Sequence, residues 1–140
     1  MDQQKIMQIQ MIEQENQHLN QQLQLIEQNI VELQELNESM QEIESGDKQE
    51  LLVNIGKRIY LPVKITEKKL LVEVGNKNFV KKSIPETTEV ITEQIKRLLE
   101  GKEQVTERLN ILQKEVEMLI RNVEAEQKKE QKKPASKKKN

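Results

Sequence analysis

Cysteine is absent from the 140 residues and histidine occurs once, as His18. Disulfide scaffolds, thiolate metal sites, thiol nucleophiles and multi-histidine zinc sites are therefore excluded. Tryptophan is absent too, and Tyr60 and Phe79 are the only aromatics. A single globular core, which aromatics normally help to fill, is poorly supplied by this composition. No apolar run approaches the roughly 18 residues of a membrane span. The polar start Met1-Asp2-Gln3-Gln4-Lys5 lacks the apolar block of a signal peptide. A cytoplasmic protein with no membrane partner is expected. The four glycines form neither GxGxxG nor GxxxxGK[ST], so no phosphate-cradling loop and no cofactor is expected.

What is present is charge and period. Charged residues make up 34% of the chain and the net charge is −1. That balance hides a division: residues 128–140 hold seven of the 23 basic residues and a single acid, Glu130. The rest is acidic. Three further segments precede this tail. Residues 1–45 contain neither Gly nor Pro, residues 46–85 hold three of the four glycines and two of the three prolines, and residues 86–127 contain one glycine, Gly101.

Residues 1–45 fit a heptad with a at 9, 16, 23, 30 and 37 and d at 12, 19, 26, 33 and 40. Eight of these ten are apolar, and the exceptions, Asn16 and Asn37, are of the type that sets register at an a position. In residues 86–127 nine of twelve a and d positions are apolar, the exceptions being Thr88, Lys102 and Glu126. Lys102 beside Gly101 marks a weak point, since Gly costs about 1 kcal/mol against Ala inside a helix. Two such helices can run antiparallel as a coiled coil. Ser45-Gly46-Asp47 supplies turn chemistry at the end of the first, and Ser83-Ile84-Pro85-Glu86 supplies start signals for the second.

The middle segment changes to period two. Leu51, Val53 and Ile55 alternate with Leu52 and Asn54, and Gly56-Lys57-Arg58 turns the chain into Ile59, Leu61, Val63 and Ile65. Leu70, Val72 and Val74 follow, and Gly75-Asn76-Lys77-Asn78 turns into Phe79-Val80. Two hairpins of four short strands are predicted, with Pro62 confining its strand to an edge or a bulge. The fold class is thus mainly α with a small β body. Four short strands bury little alone and leave unpaired edges, so hairpins from several chains are expected to close a barrel in an obligate oligomer.

The order helix, two hairpins containing LLVNIGKRIYLPVKI and LLVEVGNKNFVKKS, helix resembles prefoldin, alpha-class subunit of archaeal type, over about residues 1–125. The resemblance implies a hexamer of two alpha and four beta subunits, with a double β-barrel body and six coiled-coil tentacles. It implies ATP-independent capture of non-native polypeptides at the tentacle tips and delivery to a group II chaperonin. Carried onto this chain, the barrel and subunit contacts fall on Leu51, Val53, Ile55, Ile59, Leu61, Val63, Leu70, Val72 and Val74. The client-binding end falls on Ile6, Met7, Ile9, Met11, Ile12, Met118, Leu119, Ile120 and Val123.

Five of these, Ile6, Met7, Met11, Met118 and Ile120, sit off the heptad seam, where a coiled coil does not need apolar groups. Exposed flexible methionines suit varied apolar partners. Leu25, Val31 and Ile111 are also off-seam away from the ends, so the pattern alone permits an ordinary irregular surface. His18, at a c position, reads as solvated. The carboxylates are spread over solvated helix faces, with i,i+4 partners such as Glu93 with Arg97, and a two-helix rod has no cleft for a catalytic pair; no enzymatic activity is expected. The segment 128–140 reads as a disordered tail that solubilises the chain, meets an acidic chaperonin surface or attracts acidic clients. Nonspecific, salt-sensitive nucleic-acid contact is a further reading of its lysines. No aromatic interleaves them, so base stacking and sequence-specific recognition are not expected, and nucleic acid is not an expected partner. The competing readings of the whole chain are a filament-forming or scaffold coiled-coil protein related to prefoldin and a basic-tailed, nucleic-acid-associated coiled coil.

Overall fold

The computed structural model describes residues 3–47 and 49–138, with side chains described as far as Lys128. The element order is α1 (Gln3–Ser45), β1 (Glu50–Gly56), β2 (Ile59–Lys64), β3 (Lys69–Gly75), β4 (Asn78–Ser83) and α2 (Ile84–Lys138). Two long helices and two antiparallel hairpins make the fold mainly α with a small β component. The chain divides into two units, Met1–Glu27 with Glu100–Asn140, and Gln28–Leu99.

The helix ends carry the chemistry expected of them. Gly46 N–H donates to Glu42 O at 2.9 Å and Ser45 Oγ to Gln41 O at 2.7 Å. The Lys68 ammonium donates to Glu44 O at 2.9 Å and to Gly46 O at 3.3 Å, placing a cation on carbonyls that α1 leaves unsatisfied. At the start of α2, Ser83 Oγ accepts the Glu86 N–H at 3.2 Å; with Glu86 three residues on, this is half of a capping box. α2 continues to Lys138, past the helix end at 127 and into the segment expected to be a disordered tail. Lys, Glu, Gln and Ala, which fill most of 126–138, are strong helix formers, so a composition that reads as a charged tail also suits a helix.

In the unit Gln28–Leu99, α1 and α2 run antiparallel. Met40, Ile84 and Ile91 form a buried cluster, against which Leu33, Ile43, Leu70 and Ile95 pack. Ile84 is 1% exposed. Asn37 Nδ2 donates to Thr92 Oγ1 at 3.5 Å, while Asn37 Oδ1 and Thr88 Oγ1 are buried without a partner among the described residues. In the other unit the same helices are again antiparallel: Lys5 pairs with Glu126, Glu15 with Arg108, and Glu27 with Lys102 at 3.5 Å. Leu112, 1% exposed, is its most buried side chain. In α1, nine of the ten scored a and d positions are buried or half-buried, Asn16 alone being exposed. The heptad assigned from sequence is therefore the seam observed.

Each hairpin is its own two-stranded sheet, β1 with β2 and β3 with β4. The registers repeat at a 19-residue offset: Val53 faces Leu61 and Leu51 faces Val63, while Val72 faces Val80 and Leu70 faces Lys82. Both turns have two central residues with positive φ, Lys57 (46°) with Arg58 (64°) and Asn76 (46°) with Lys77 (61°). Only this mirror-image turn matches the twist of the strands, and it forms although Gly is missing from all four positions. The preceding Gly56 and Gly75 have φ of 136° and 127°, a region open to glycine. A register shift falls just before each, between Asn54 and Gly56 and between Glu73 and Gly75. Ile55 and Val74 are thus bulged out of the ladder, and the strict alternation read through them stops one residue early.

Candidate functional site

Two surfaces could act, one in each unit. In the unit holding the chain ends, α1 brings Met11 and Ile12 beside Met118 and Leu119 of α2 around an open groove of about 780 Å³, rimmed by Gln8, Gln14, Glu15, Glu115 and Asn122. The helical repeat explains the grouping. Met11 and Met118 both occupy c positions, each one residue before a d position and about 100° around the helix from it, so their side chains flank Ile12 and Leu119. Met11 is 68% and Met118 63% exposed. The groove therefore has a flexible thioether wall over an aliphatic floor.

Four of the nine residues assigned to client binding line this groove, and five do not. Met7 and Ile120 are exposed elsewhere on the helices, and Ile6, Ile9 and Val123 are half-buried. The polar rim was not anticipated. Its signal lay in the heptad: Gln8, Glu15, Glu115 and Asn122 are all g positions, next to d on the wheel. The Glu15 carboxylate accepts from Arg108 Nε at 2.9 Å and from Nη2 at 3.2 Å. That hydrogen bond holds the Glu15 carboxyl below its ordinary value and raises the Arg108 guanidinium. Lys5 and Glu126 face each other at d positions toward the ends of the described helices, so the apolar seam finishes in an ion pair.

In the unit Gln28–Leu99, the hairpins expose most of their apolar residues. Of those assigned to subunit contacts, Leu51, Val63, Leu70 and Val72 are half-buried, and Val53, Ile55, Ile59, Leu61 and Val74 are exposed. Leu52, Tyr60, Leu71 and Phe79, outside that assignment, are exposed as well. Tyr60 and Phe79, the only aromatics, occupy equivalent places in the two hairpins, opposite Asn54 and Glu73. Lys81 and Glu67 form an ion pair at 2.7 Å, and the hydrogen bond from Lys81 holds the Glu67 carboxyl below its ordinary value.

Neither surface resembles a catalytic centre. Among the described residues no group of three or more His, Asp or Glu could hold a metal ion, and no helix is long and apolar enough to cross a membrane. His18 is exposed, its Nε2 lying 3.2 Å from Gln22 Nε2.

Comparison with known proteins agrees with the architecture. The sequence profile of the prefoldin subunit matches residues 12–129. Among solved structures, a chain from the cryo-EM structure of filamentous PFD from Methanocaldococcus jannaschii superposes with a TM-score of 0.68 and 18% identity, covering 80% of this chain and 94% of that one. No curated protein matches the chain.

Proposed function

This chain belongs to the prefoldin family, and from that premise we propose that it is an alpha-class subunit of an ATP-independent chaperone, holding non-native polypeptides in the Met11–Met118 groove. Family membership makes a chaperone-type subunit with no enzymatic activity of its own. The finer reading has its own support. The groove carries the argument: it is open, apolar in its floor and flexible in its walls, and those walls are Met11 and Met118, which the coiled coil itself does not require. Such a surface re-packs around unrelated apolar side chains. Each contact is weak, and several grooves in one assembly raise the effective affinity.

Two hairpins in one chain are the feature that supports the alpha class, and exposed apolar strands support assembly with other subunits, two alpha with four beta. Delivery of clients to a group II chaperonin completes the proposal. The test is to mix the chain with a beta-class subunit, measure the mass of the complex, and follow aggregation of a denatured protein without nucleotide. The double variant Met11→Ser with Met118→Ser is expected to keep the mass and lose most of the delay. A variant complex that protects as well as the original would sink the groove assignment.

A second reading has one observation in its favour: the similar solved structure is of a filamentous PFD. On that reading the chain self-assembles into a filament or scaffold. The size distribution of the chain alone decides, because a filament former reaches high mass with no partner subunit.

A further inference from the structure

We propose that Met11 and Met118 form a methionine-oxidation site that switches the groove off: peroxide converts both thioethers to sulfoxides, and reduction restores them. The proposal rests on the reading that the groove holds apolar client segments, and adds how that site is regulated.

Sulfur is sparse in this chain and unevenly placed. Cysteine is absent and there are five methionines, so every sulfur is a thioether. Met1 lies outside the described residues. Met40 is 4% exposed, in the cluster with Ile84 and Ile91. Met7, Met11 and Met118 are all at least 60% exposed, and of these Met11 and Met118 line the groove while Met7 does not. Other c positions also expose apolar side chains, but there they are Leu25 and Ile111, aliphatic groups with no oxidisable atom. Reactive sulfur therefore sits on the wall of the one groove assigned to clients.

The chemistry needs a hydroperoxide and no other group. The Sδ lone pair attacks one peroxide oxygen, the S–O bond forms and the O–O bond breaks. Sulfur supplies the two electrons, and the departing hydroxide takes the proton of the transferred oxygen and leaves as water. A methionine sulfoxide reductase reverses the change, two thiols becoming a disulfide as the oxygen is lost as water, with one enzyme for each sulfoxide epimer.

Access decides which sulfur reacts. Peroxide reaches Met11 and Met118 from solvent, whereas Met40 is reached only when α1 and α2 part around it. Oxidation therefore spares the buried cluster and changes the groove alone. A sulfoxide turns a flexible apolar side chain into a polar, chiral one. On the free chain water solvates the new oxygen, and a c position does not enter the seam, so the coiled coil is undisturbed. An apolar segment laid over Ile12 and Leu119 strips that water away, and an acceptor covered without a partner opposes binding. The wall that adapts to clients thus becomes a wall that repels them.

The test oxidises the full chain with hydrogen peroxide, removes the peroxide, and then assembles the chain with a beta-class subunit. Peptide mass analysis is expected to find one added oxygen on Met11 and on Met118 well before Met40. The mass of the complex should be unchanged, while the amount needed to halve aggregation of a denatured protein rises about tenfold or more. Methionine sulfoxide reductases should restore the original value. Met11→Leu with Met118→Leu, which nearly conserves volume, is expected to protect equally before and after peroxide, and Met7→Leu to stay as sensitive as the original. Oxidation of Met40 as fast as Met11, full protection by a chain oxidised at both sites, an equal loss in the leucine variant, or no recovery on reduction would overturn the proposal. Recovery on reduction decides the case even where the leucine variant protects poorly untreated. If the untreated complex does not delay aggregation, the proposed function falls and the switch with it; if it does and the oxidised complex does so equally, the switch alone falls.

Discussion

The helical seam and the hairpins are both built from Leu, Ile and Val at regular spacing, yet one is satisfied within a single chain and the other is not. Along α1 every scored a and d side chain but Asn16 is buried or half-buried, whereas Leu52, Ile55, Ile59 and Leu71 stay exposed on the strands. The difference is geometric. Two helices cover each other's apolar stripe because each stripe is narrow. A two-stranded sheet has two faces and two edges, and its own turn closes only the inner side. Mutations in the two regions should therefore fail in different ways.

The largest effect is expected at the cluster between the helices. Ile84→Ala removes a 1% exposed side chain and should lower unfolding stability by about 2–5 kcal/mol in urea titration. Ile59→Ser, on an exposed strand residue, should leave the unfolding of the dilute chain within about 0.5 kcal/mol while lowering its assembly mass. Comparable losses of stability at both would erase the contrast.

Next in size is the polar layer. Asn37→Ile removes a buried carbonyl oxygen that has no partner, and should stabilise the helices by about 1–3 kcal/mol while broadening the choice of register. Destabilisation would mean that the hydrogen bond to Thr92 outweighs the orphaned acceptor. About 1 kcal/mol is expected from two glycine exchanges of opposite sense. Gly101→Ala adds a methyl that meets nothing within 4 Å and should raise the helix melting temperature. Arg58→Gly relieves a residue at φ 64° and should stabilise the first hairpin without touching the helices.

The smallest effect is the pH dependence of the pair between Glu15 and Arg108. The arginine holds that carboxyl below its ordinary value. Its contribution is therefore complete above the ordinary glutamate value and fades as pH falls through the lowered one. Acid titration of Glu15→Gln against the original chain should show a slightly shallower loss of stability in that range; identical profiles would mean the pair adds nothing.

Much of this was legible in residue order. The heptads, both hairpins, the Ser83 cap and the Gly46 stop depend on neighbours within a turn or two, which sequence displays directly. Of the nine residues assigned to client binding, Met11, Ile12, Met118 and Leu119 line one groove, because c and d positions at the same level of two antiparallel helices lie side by side, whereas Met7 at f and Val123 at a do not join them. The rim residues were equally periodic, but polar g positions are so common on coiled coils that nothing singled them out. Ile55 and Val74 misled the alternation because a bulge is a matter of strand pairing, and either residue continues the apolar period.

The sequence by itself determined that there would be two helices with apolar seams and two strand pairs, since period and turn residues act over a few positions. Only the tertiary structure decided which turn of α1 meets which turn of α2. A heptad survives a slip of seven residues unchanged, so its period cannot choose a register. Asn37 against Thr92, Glu15 against Arg108 and Lys5 against Glu126 break that degeneracy, because polar and charged groups, unlike interchangeable leucines, meet their partners in one alignment alone.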